Sequence, residues 1–503
     1  MKENKMLVHQ IINHKNSDLI AFLGSQDITY GHLQQKITEY RNFFYHQGLR
    51  PGENIGLFAK NSIEFIYSYL AVISLGAVVV PLNFQLVPRE IAYIIQDANM
   101  KMLITMDKLE LTTELMNYHY EQQVTQLLIP TFSSDLSMLD VPLAPISDDF
   151  DENTLCTIIY TSGTTGNPKG AMLTHRNLIS NAQAFSKSCP HTTKDRVLCV
   201  LPMYHCFAWT VAVLTPLLNG SSIKIVESFS IRETIATIRD HQLNIISGIP
   251  TMFRLFMQWA TAEDFAHVQL LISGGSSLPQ EISEQFTRKI GKKIIEGYGL
   301  SEASPVVSLN PLDKVKYCSV GKPLSGIEIR VVDSQGLDLP QGQTGELLVR
   351  GPNVMQGYYN LPEESARALQ HGWLYTGDVV YIDQDGYIFI VDRLKDMIIT
   401  SGENIYPREI EELLYAYPAV AEAAVIGVPD KLRGTAVHAY IVPHEGHILN
   451  KKLLQGYLKK KIAAYKMPRE FIIVNTLPRN STGKILKRVL RQQARDDWDK
   501  GKA

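Results

Sequence analysis

The sequence predicts an α/β protein with a large N-terminal domain of layered α/β subdomains plus a β-rich subdomain, followed by a small α+β C-terminal domain. Three patterns support this fold class. Short Val/Ile-rich runs alternate with helical patterns and small-residue turns over residues 50 to 300, which is typical of parallel α/β layers. Beyond about residue 320 the runs become hairpin-like, with turn signals at DSQG and DQDG. The last ~100 residues combine helices with strands and are long enough to form a domain.

The expected elements follow one another in a clear order. The first strands are NIGLFA, AVVVPLN, KMLIT, QLLIP, RVLCVLP, SIKIV and IISGIP, and the β-rich part contributes IEIRVVD, GELLVRG, WLYTGDVVYID and GYIFIVD. The C-terminal part continues with the helix REIEELLYAYP, the strands EAAVIGV and AVHAYIV, and the basic helix LKRVLRQQAR. Charged residues interrupt two apolar strands at IVDRLKDMI. We therefore expect domains at residues 1–394 and 395–503.

The composition limits the classes of function. The chain has 503 residues, more than one hydrophobic core usually supports, and its 45% apolar and 20% charged residues are ordinary for a globular protein. A formal net charge of -2 gives no general attraction for nucleic acid, so we expect no nucleic-acid partner. Five cysteines form no CxxC pair, and MKENKMLVHQ lacks the apolar core of a signal peptide. We therefore expect a cytoplasmic protein.

Two apolar stretches, residues 67–82 and 198–220, approach the length of a membrane span. The first is predicted to be a helix that leads into the strand AVVVPLN. The second contains Pro202, His205 and Pro216, which would leave polar groups unpaired in lipid. Both stretches are therefore expected to be buried inside the protein, while peripheral contact with a membrane stays open.

A loop rich in glycines and hydroxyl residues, YTSGTTGNPKG at 160–170, follows the apolar strand CTIIY. Its glycines let backbone NH groups approach phosphate oxygens, its hydroxyls can donate or reach a metal, and Lys169 adds a positive charge. The loop is not a Walker loop, because no hydroxyl follows the lysine. On this pattern alone, a flexible surface linker is the alternative.

Three further clusters contain residues suited to nucleotide chemistry. In GYGLSE, Tyr298 can stack on a purine and Glu302 can bind Mg²⁺, although a plain turn with a solvated glutamate gives the same pattern. In YTGD, Asp378 can accept hydrogen bonds from ribose hydroxyls. In PRNSTGKILKR, Lys484 lies on a glycine-containing loop before a basic helix, and a solvated face is the alternative there.

In their order, these clusters resemble the AMP-forming adenylating superfamily of acyl-CoA synthetases, luciferases and peptide-synthetase adenylation domains. The resemblance covers nearly the whole chain and is closest to long-chain fatty acid:CoA ligases. It rests on ITYGHL, AVVVPLN, YTSGTTGNPKGAMLTHRN, LPMYH, SGGSSLP, EGYGLSEASP, GELLVRGPNVMQGYY, WLYTGD, VDRLKDMI, SGENIYPREIE and STGK. Chance agreement of so many motifs in one order is negligible. The resemblance implies that the protein uses Mg²⁺ as a cofactor and ATP and coenzyme A as co-substrates.

The resemblance also implies a role for each matching residue. Thr161 and Glu302 would position Mg²⁺, Tyr298 would frame the adenine together with backbone, and Asp378 would bind the ribose. The implied ATP-binding residues are Thr161, Ser162, Gly163, Thr164, Thr165, Gly166, Lys169, Glu296, Gly297, Tyr298, Ser301, Asp378, Arg393, Lys395 and Lys484. The implied catalytic residues are Lys169, His205, Glu302 and Lys484.

Two half-reactions follow from the resemblance. In the first, Lys484 would bridge the carboxylate of the acid and the α-phosphate of ATP. A fixed cation is needed there because a carboxylate that attacks a phosphate brings two anions together. In the second, the small domain, which is mobile in this family, would turn about Lys395 and bring Gly402, Glu403 and Asn404 to the site for CoA.

The expected acid-binding residues are His205, Trp209, Gly274 and Gly275. His205 matches the family position beside the substrate carboxylate, and Trp209 matches a tryptophan that gates the acyl tunnel in some long-chain members; core packing is the alternative for both. The two glycines leave room beside an extended chain. The segment AWTVAV offers no charge for an α-amino group, which favours a medium- or long-chain fatty acid.

Some alternatives stay open on the sequence. A carrier protein in place of CoA, an aryl or short-chain acid, and a homodimer all remain compatible with it. A non-catalytic nucleotide sensor is disfavoured because Glu302 and Lys484 are both present. Ser301, Ser401 and Thr435 stand where threonine, glycine and glutamate are usual, and the last two weaken the detail expected for binding of the thiol acceptor.

Overall fold

The computed structural model describes residues 6–13, 16–135, 144, 150–161, 168–400, 403–430, 434–479 and 485–499. The strands are β1 (Ile20–Phe22), β2 (Ile28–Thr29), β3 (Asn54–Phe58), β4 (Val78–Pro81), β5 (Met102–Thr105), β6 (Thr125–Leu128), β7 (Leu155–Thr161), β8 (Lys169–Thr174), β9 (Arg196–Cys199), β10 (Ser222–Ile225), β11 (Ile245–Gly248), β12 (Leu270–Ser273), β13 (Ile294–Gly299), β14 (Val306–Leu309), β15 (Lys322–Pro323), β16 (Glu328–Val332), β17 (Gly345–Arg350), β18 (Gly357–Tyr358), β19 (Leu369–Gln370), β20 (Trp373–Ile382), β21 (Ile388–Arg393), β22 (Ile398–Thr400), β23 (Glu403–Ile405), β24 (Val420–Asp430), β25 (Gly434–Pro443) and β26 (Glu470–Ile473).

The α-helices are α1 (Tyr30–His46), α2 (Ile63–Ser74), α3 (Pro88–Asp97), α4 (Thr112–Asn117), α5 (Ile129–Asp135), α6 (His175–Ser188), α7 (Cys206–Ala208), α8 (Thr215–Asn219), α9 (Ile231–Asp240), α10 (Pro250–Trp259), α11 (Gln280–Ile290), α12 (Pro362–Ala368), α13 (Pro407–Tyr415), α14 (Lys451–Lys459) and α15 (Lys487–Asp499). Short 3₁₀-helices lie at Val8–Ile12, Glu263–Phe265, Ser301–Ala303 and Ala464–Lys466, and a π-helix lies at Trp209–Leu214. In the part of the chain that the structure describes, no helix is long and apolar enough to cross a membrane.

Two large, mainly parallel sheets form the N-terminal region, as the sequence predicts. One sheet has the strand order β15-β14-β13-β12-β11-β9-β10-β1-β2, and the other has the order β18-β8-β7-β4-β3-β5-β6. Their central neighbours, such as β11 with β12 and β3 with β4, are parallel, whereas β13 with β14 and β7 with β8 are antiparallel. Because the carboxyl ends of parallel strands meet at one edge of a sheet, the loops that follow these strands are brought together.

The first apolar stretch singled out in the sequence becomes α2 and β4. Every residue of α2 from Phe65 to Ser74 is buried, and the hydroxyl of Ser62 caps the helix by accepting a hydrogen bond from the NH of Phe65 at 3.1 Å. A helix that is apolar on all sides belongs in a core rather than on a surface. The core cluster around it includes Tyr40 and Trp209.

The β-rich subdomain is an antiparallel sheet with the order β16-β17-β20-β19, and β21 pairs with β20. Its turns follow the predicted signals. The carboxylate of Asp333 accepts hydrogen bonds from the NH groups of Gln335 and Leu337, and that of Asp383 does the same for Asp385 and Tyr387. Both turns are therefore closed by the first aspartate of their motif.

The C-terminal part contains the sheet β24-β25-β26, the hairpin β22–β23 and helices α13, α14 and α15. Its described core residues, from Ile398 to Leu490, form clusters of their own. It meets the N-terminal region through polar contacts: the NH of Arg408 donates to Asp392 at 2.9 Å, and Arg254 lies 3.9 Å from Glu422. The predicted helices and strands of this part are confirmed.

Candidate active site

Part of the predicted site falls outside the described residues. These positions are Ser162, Gly163, Thr164, Thr165, Gly166, Gly402 and Lys484. The residues that flank the glycine-rich loop are described, because the antiparallel pairing of β7 and β8 sets Thr161 opposite Lys169. The hydroxyl of Thr161 lies 3.5 Å from the carbonyl oxygen of Lys169. The hairpin thus holds a hydroxyl and a cation at the two ends of the loop.

Lys169 is half-buried between a carboxylate and an aromatic ring. Its ammonium forms an ion pair with Glu364 of α12, and it lies 5.4 Å from the ring centroid of Tyr358. The ion pair lowers the pKa of Glu364. Glu364 therefore binds the lysine charge in the way that an anionic oxygen of a substrate would.

Tyr358, which lies beside Lys169, also holds Glu302. The hydroxyl of Tyr358 donates to Oε1 of Glu302 at 2.8 Å, and the backbone NH of Met355 donates to the carbonyl of Glu302 at 2.9 Å. The neighbouring Ser301 hydroxyl lies 3.2 Å from Sγ of Cys206. The sequence prediction missed Tyr358 and Glu364, although their motif GYYNLPEES places an aromatic hydroxyl and carboxylates close together along the chain.

A trio formed by the buried residues Tyr298 and Asp378 and the partly exposed Arg393 connects three strands on the other side of the site. The hydroxyl of Tyr298 on β13 donates to Oδ2 of Asp378 on β20 at 2.6 Å, and Arg393 on β21 pairs with Oδ1 of Asp378 at 2.9 Å. Asp378 is only 2% exposed. The buried carboxylate raises the pKa of Arg393, and burial followed by the charge of Asp378 raises the pKa of Tyr298. Both shifts favour the protonated forms of Arg393 and Tyr298 near neutral pH.

Two residues beside Tyr298 have distinct surroundings. The Glu296 carboxylate is buried and accepts a hydrogen bond from the NH of Leu278 at 3.0 Å. Burial raises the pKa of Glu296 to about 7. A Cβ on Gly297 would lie 2.9 Å from a methyl group of Leu309, so this position has no space for a side chain. If these two residues contact the adenine, as the resemblance implies, they would do so through backbone groups.

Lys395 lies between β21 and β22, immediately beyond the trio. Burial, and next the charge of Arg393, lowers the pKa of Lys395. Glu403 and Asn404 are exposed on the hairpin β22–β23, which packs on β24 and β25 of its own region. The hairpin predicted to face CoA is thus on the surface in this structure.

Two of the predicted acid-binding residues, His205 and Trp209, lie in an uncharged, largely buried segment. His205 caps the short helix α7 and accepts a hydrogen bond from the NH of Phe207 at 3.2 Å. Trp209 is 2% exposed and packs on Tyr69 with ring centroids 3.9 Å apart. All six residues of the π-helix at 209–214 are buried. This part of the site is built by packing rather than by ion pairs.

The room expected beside Gly274 is partly taken. A Cβ on Gly274 would meet the Phe207 ring at 2.9 Å, so the ring lies directly against this glycine. Gly275 has φ of +79° and only a methyl group of Ile249 at 3.7 Å from its Cβ position. The sequence prediction did not include Phe207, although it follows His205 by two residues in LPMYHCF.

The described residues fit a nucleoside triphosphate with Mg²⁺. A hydroxyl at Thr161 and a carboxylate at Glu302 are hard oxygen ligands that suit Mg²⁺, and Lys169 is a cation already paired with an anionic group. The Tyr298 ring is held by its hydrogen bond to Asp378, whose carboxylate keeps lone pairs beyond those used for Tyr298 and Arg393. An uncharged wall adjoins this polar half. Such a site can bring an apolar acid to a bound nucleotide.

Sequence comparisons identify the family. The sequence model of the family described as AMP-binding enzyme matches residues 9–359, and that of the AMP-binding enzyme C-terminal domain matches residues 409–484. Feruloyl-CoA synthase of an Amycolatopsis species is 34% identical over 93% of this chain and 94% of its own length. A long-chain fatty acid CoA ligase of Bacillus subtilis is 31% identical over 94% and 91%. Fatty acid–acyl-carrier-protein ligase ScoC of Streptomyces coeruleorubidus is 31% identical over 95% and 94%.

Solved structures share the fold. ATP-bound MatB from Rhodopseudomonas palustris superposes with a TM-score of 0.92 at 30% identity, covering 98% of this chain and 100% of that one. The o-succinylbenzoate CoA synthetase MenE of Bacillus subtilis with ATP and magnesium gives a TM-score of 0.85 at 29% identity, covering 97% and 99%. The predicted fold class is thus confirmed over nearly the whole chain.

Proposed function

The chain belongs to the AMP-binding enzyme family and is an AMP-forming acid:CoA ligase, and on that premise we propose that its acid is a medium- or long-chain fatty acid. The enzyme uses ATP, Mg²⁺ and coenzyme A. In the proposed reaction the fatty carboxylate attacks the α-phosphate of ATP and releases pyrophosphate. The thiol of CoA then attacks the acyl carbon of the acyl-adenylate, and AMP leaves.

One observation carries the choice of acid. The segment after His205 contains no charged residue up to Leu214, and each of its residues except the half-buried Phe207 is buried. An amino acid or a dicarboxylate would need a charged partner in such surroundings, because an unpaired ion in a buried site is costly. An alkyl chain needs none, and each CH₂ group that it buries contributes ~0.8 kcal/mol. The segment therefore favours an apolar acid.

The roles proposed for the nucleotide side follow from its contacts. Lys169, released from Glu364, would bind the phosphates, while Thr161 and the tyrosine-held Glu302 would bind Mg²⁺. The metal would neutralise phosphate charge. Tyr298 would stack on the adenine with its ring fixed by the hydrogen bond to Asp378. Because these groups are already oriented, little reorganisation is needed when the negative charge develops.

The chemical step needs cations close to the reacting atoms. We assign Lys484 to the contact between the carboxylate of the acid and the α-phosphate, in keeping with its place in the STGK motif. His205, at the start of α7, would orient the carboxylate of the acid. Trp209, Gly274 and Gly275 would line the path of the acyl chain.

A rotation of the C-terminal domain would serve the second half-reaction. We propose a boundary at residues 394 and 395, with Lys395 as the residue whose backbone turns, so that Gly402, Glu403 and Asn404 move to the site and Lys484 leaves it. A Lys395→Pro variant should keep acid-dependent pyrophosphate release and lose thioester formation, because proline fixes φ at the turning point. Measured separately, equal retention of both half-reactions would reject Lys395 as the pivot.

Pyrophosphate release tests the choice of acid. Release would be followed with ATP, Mg²⁺ and CoA across straight-chain acids of increasing length, benzoate and o-succinylbenzoate, and the thioester would be identified by mass. We expect the highest kcat/KM with medium or long chains and acyl-CoA as the product. A preference for the aromatic acids would reject the fatty acid, and release of pyrophosphate without thioester would indicate a carrier protein as the acceptor.

An aryl acid is the second candidate, and one contact favours it. The ring of Phe207 against Gly274 provides a flat wall of the kind on which an aromatic acid can stack. The similarity to feruloyl-CoA synthase is in keeping with such an acid. Adding ferulate to the acid series separates the two candidates directly.

A further inference from the structure

Helix α3 contacts both ends of the hairpin that holds Thr161 and Lys169, although no residue of α3 was expected in the site. We propose that Tyr93, Asp97 and Tyr160 form a positioning cluster that fixes Thr161 and Lys169 for the phosphates of ATP. This inference rests on the proposed function of those two residues and extends it to side chains that do not touch the substrate.

The first contact holds the β7 end of the loop. Tyr160 stands next to Thr161, and its hydroxyl donates to Oδ2 of Asp97, the last residue of α3, at 2.5 Å. Successive side chains of a strand point to opposite faces, so Tyr160 fastens β7 from the face opposite to the Thr161 hydroxyl. Tyr160 is therefore a positioning residue and not a catalytic one.

A glycine makes this contact possible. Gly170 is the cross-strand neighbour of Tyr160, and a Cβ there would lie 3.1 Å from Cζ of the Tyr160 ring. The ring therefore lies against the backbone of β8, immediately after Lys169. The Tyr160 side chain consequently contacts both strands of the hairpin.

The second contact holds the other end of the loop. The hydroxyl of Tyr93, one turn before Asp97 on α3, donates to the carbonyl of Pro168 at 3.4 Å. Pro168 directly precedes Lys169. The Tyr93 ring packs edge-on against Tyr118, with centroids 6.0 Å apart, which limits its movement. One helix thus restrains the residues on both sides of the loop.

Asp97 also holds the turn that leads to the partner of Lys169. The backbone carbonyl of Asp97 accepts a hydrogen bond from the side-chain amide of Asn360 at 3.0 Å. In the same turn, the NH of Tyr359 donates to the backbone carbonyl of Gly170 at 2.7 Å. This turn follows Tyr358, which binds Glu302, and precedes α12 with Glu364. The cluster therefore also restrains the segment that orients the Mg²⁺ ligand Glu302.

Direct binding measurements separate positioning from simple stabilisation. The Kd of the Mg²⁺ complex of α,β-methylene-ATP and the Kd of AMP would be measured by calorimetry for Tyr93→Phe, Tyr160→Phe and Asp97→Ala. Loss of one hydrogen bond that orders a phosphate-binding residue should weaken the ATP analogue ~5- to 10-fold. AMP, which lacks the β- and γ-phosphates, should bind within about twofold of the wild-type protein.

Two variants provide matched controls. Tyr120→Phe removes a hydroxyl that donates to the carbonyl of Met100 at 2.7 Å in the same sheet region, and its Kd for both nucleotides should be unchanged. Asp97→Asn keeps an oxygen that accepts from Tyr160 and should restore most of the affinity lost in Asp97→Ala. An equal loss for the ATP analogue and AMP, no loss for either, or the same loss in Tyr120→Phe would overturn the positioning role.

A Lys169→Ala variant distinguishes failure of this inference from failure of the proposed site. If Lys169→Ala weakens the ATP analogue and the cluster variants do not, only the positioning role is rejected. If Lys169→Ala binds the analogue as the wild type does, the proposed phosphate site itself is rejected. Transfer from preformed acyl-AMP to CoA should proceed at the wild-type rate in all cluster variants, because that step uses no β- or γ-phosphate.

Discussion

The side of the site proposed to bind the nucleotide (the nucleotide side) and the side proposed to bind the acid (the acid side) are built by different interactions. On the nucleotide side, Tyr298, Asp378 and Arg393 are joined by hydrogen bonds and charge, each to a defined atom of another strand. On the acid side, Trp209 packs on Tyr69, and Phe207 lies against Gly274, and none of these four residues is charged. The first side depends on functional groups, and the second on volume and shape.

This difference explains why the two sides are unequally specific. A hydrogen-bonded trio fails when one atom is replaced, so its residue types are narrowly defined. An apolar wall tolerates many combinations of apolar side chains, provided that their total volume is similar. Two relatives that are similarly identical to this chain are accordingly named for different acids: one is a feruloyl-CoA synthase and the other a long-chain fatty acid CoA ligase. On the proposed assignment, the nucleotide side would define the reaction and the acid side would select the substrate.

The largest effect is expected from Lys484→Ala, which tests the charge-based side at its reacting centre. Removing a fixed cation where negative charge develops typically costs on the order of 10²–10³ in rate, or ~3 kcal/mol. We expect this loss in acid-dependent ATP–pyrophosphate exchange and a much smaller loss in CoA transfer from preformed acyl-AMP. Equal losses in the two assays would mean that the lysine does not act at the α-phosphate.

A smaller effect is expected from Asp378→Asn, which removes the charge but not the shape of the trio. Arg393 would lose its anionic partner, so kcat/KM for ATP should fall roughly 10- to 100-fold, or ~1.5–3 kcal/mol. The preference among acids should not change. Glu346→Gln is the matched control, because the amide oxygen can still accept the hydrogen bond that Glu346 receives from the NH of Gly377. A changed acid preference in Asp378→Asn would show that the two sides are not independent.

The sequence predicted more of the nucleotide side than of the acid side. Its motifs singled out the glycine-rich loop, Tyr298 and Asp378 as candidates, since each is a local pattern with its own chemistry, and the structure brings the last two into contact. It did not predict that Tyr298 binds Asp378, 80 positions away, or that Lys169 pairs with Glu364, 195 positions away. Those contacts depend on which strands and helices become neighbours in the folded chain.

The acid side was harder to predict because packing has no short pattern. Gly274 was expected to leave room for an acyl chain, and the structure shows the Phe207 ring in that space. Whether a glycine creates space depends on side chains that tertiary structure brings to it, here from the short helix α7, nearly 70 positions earlier. The hairpins, the parallel layers and the C-terminal elements were predicted well, because their periodicity and turns are local.

A Gly274→Ala substitution tests the packing side. The new methyl group would lie 2.9 Å from the Phe207 ring, which must shift. We expect kcat/KM for the preferred acid to change by about 5-fold, or ~1 kcal/mol, and KM for ATP to stay constant. Gly456→Ala, on α14 with open space around its Cβ position, is the control. A Gly274→Ala/Phe207→Ala double variant should relieve the clash; a defect that persists there would place the effect elsewhere.

The smallest effect is expected at Glu296. Its backbone belongs to the nucleotide side, and its ionisable side chain is buried. Burial raises its pKa from 4.5 to about 7. The folded protein therefore holds this proton more tightly than the unfolded chain, so stability should fall as the pH rises from about 4.5 to about 7.

Glu296→Gln cannot ionise and can still accept the hydrogen bond from Leu278. Its Tm, measured by thermal denaturation, should match the wild type near pH 5 and exceed it by a few degrees or less at pH 8. A Tm difference that is the same at both pH values would show that the protonation of Glu296 does not change on unfolding.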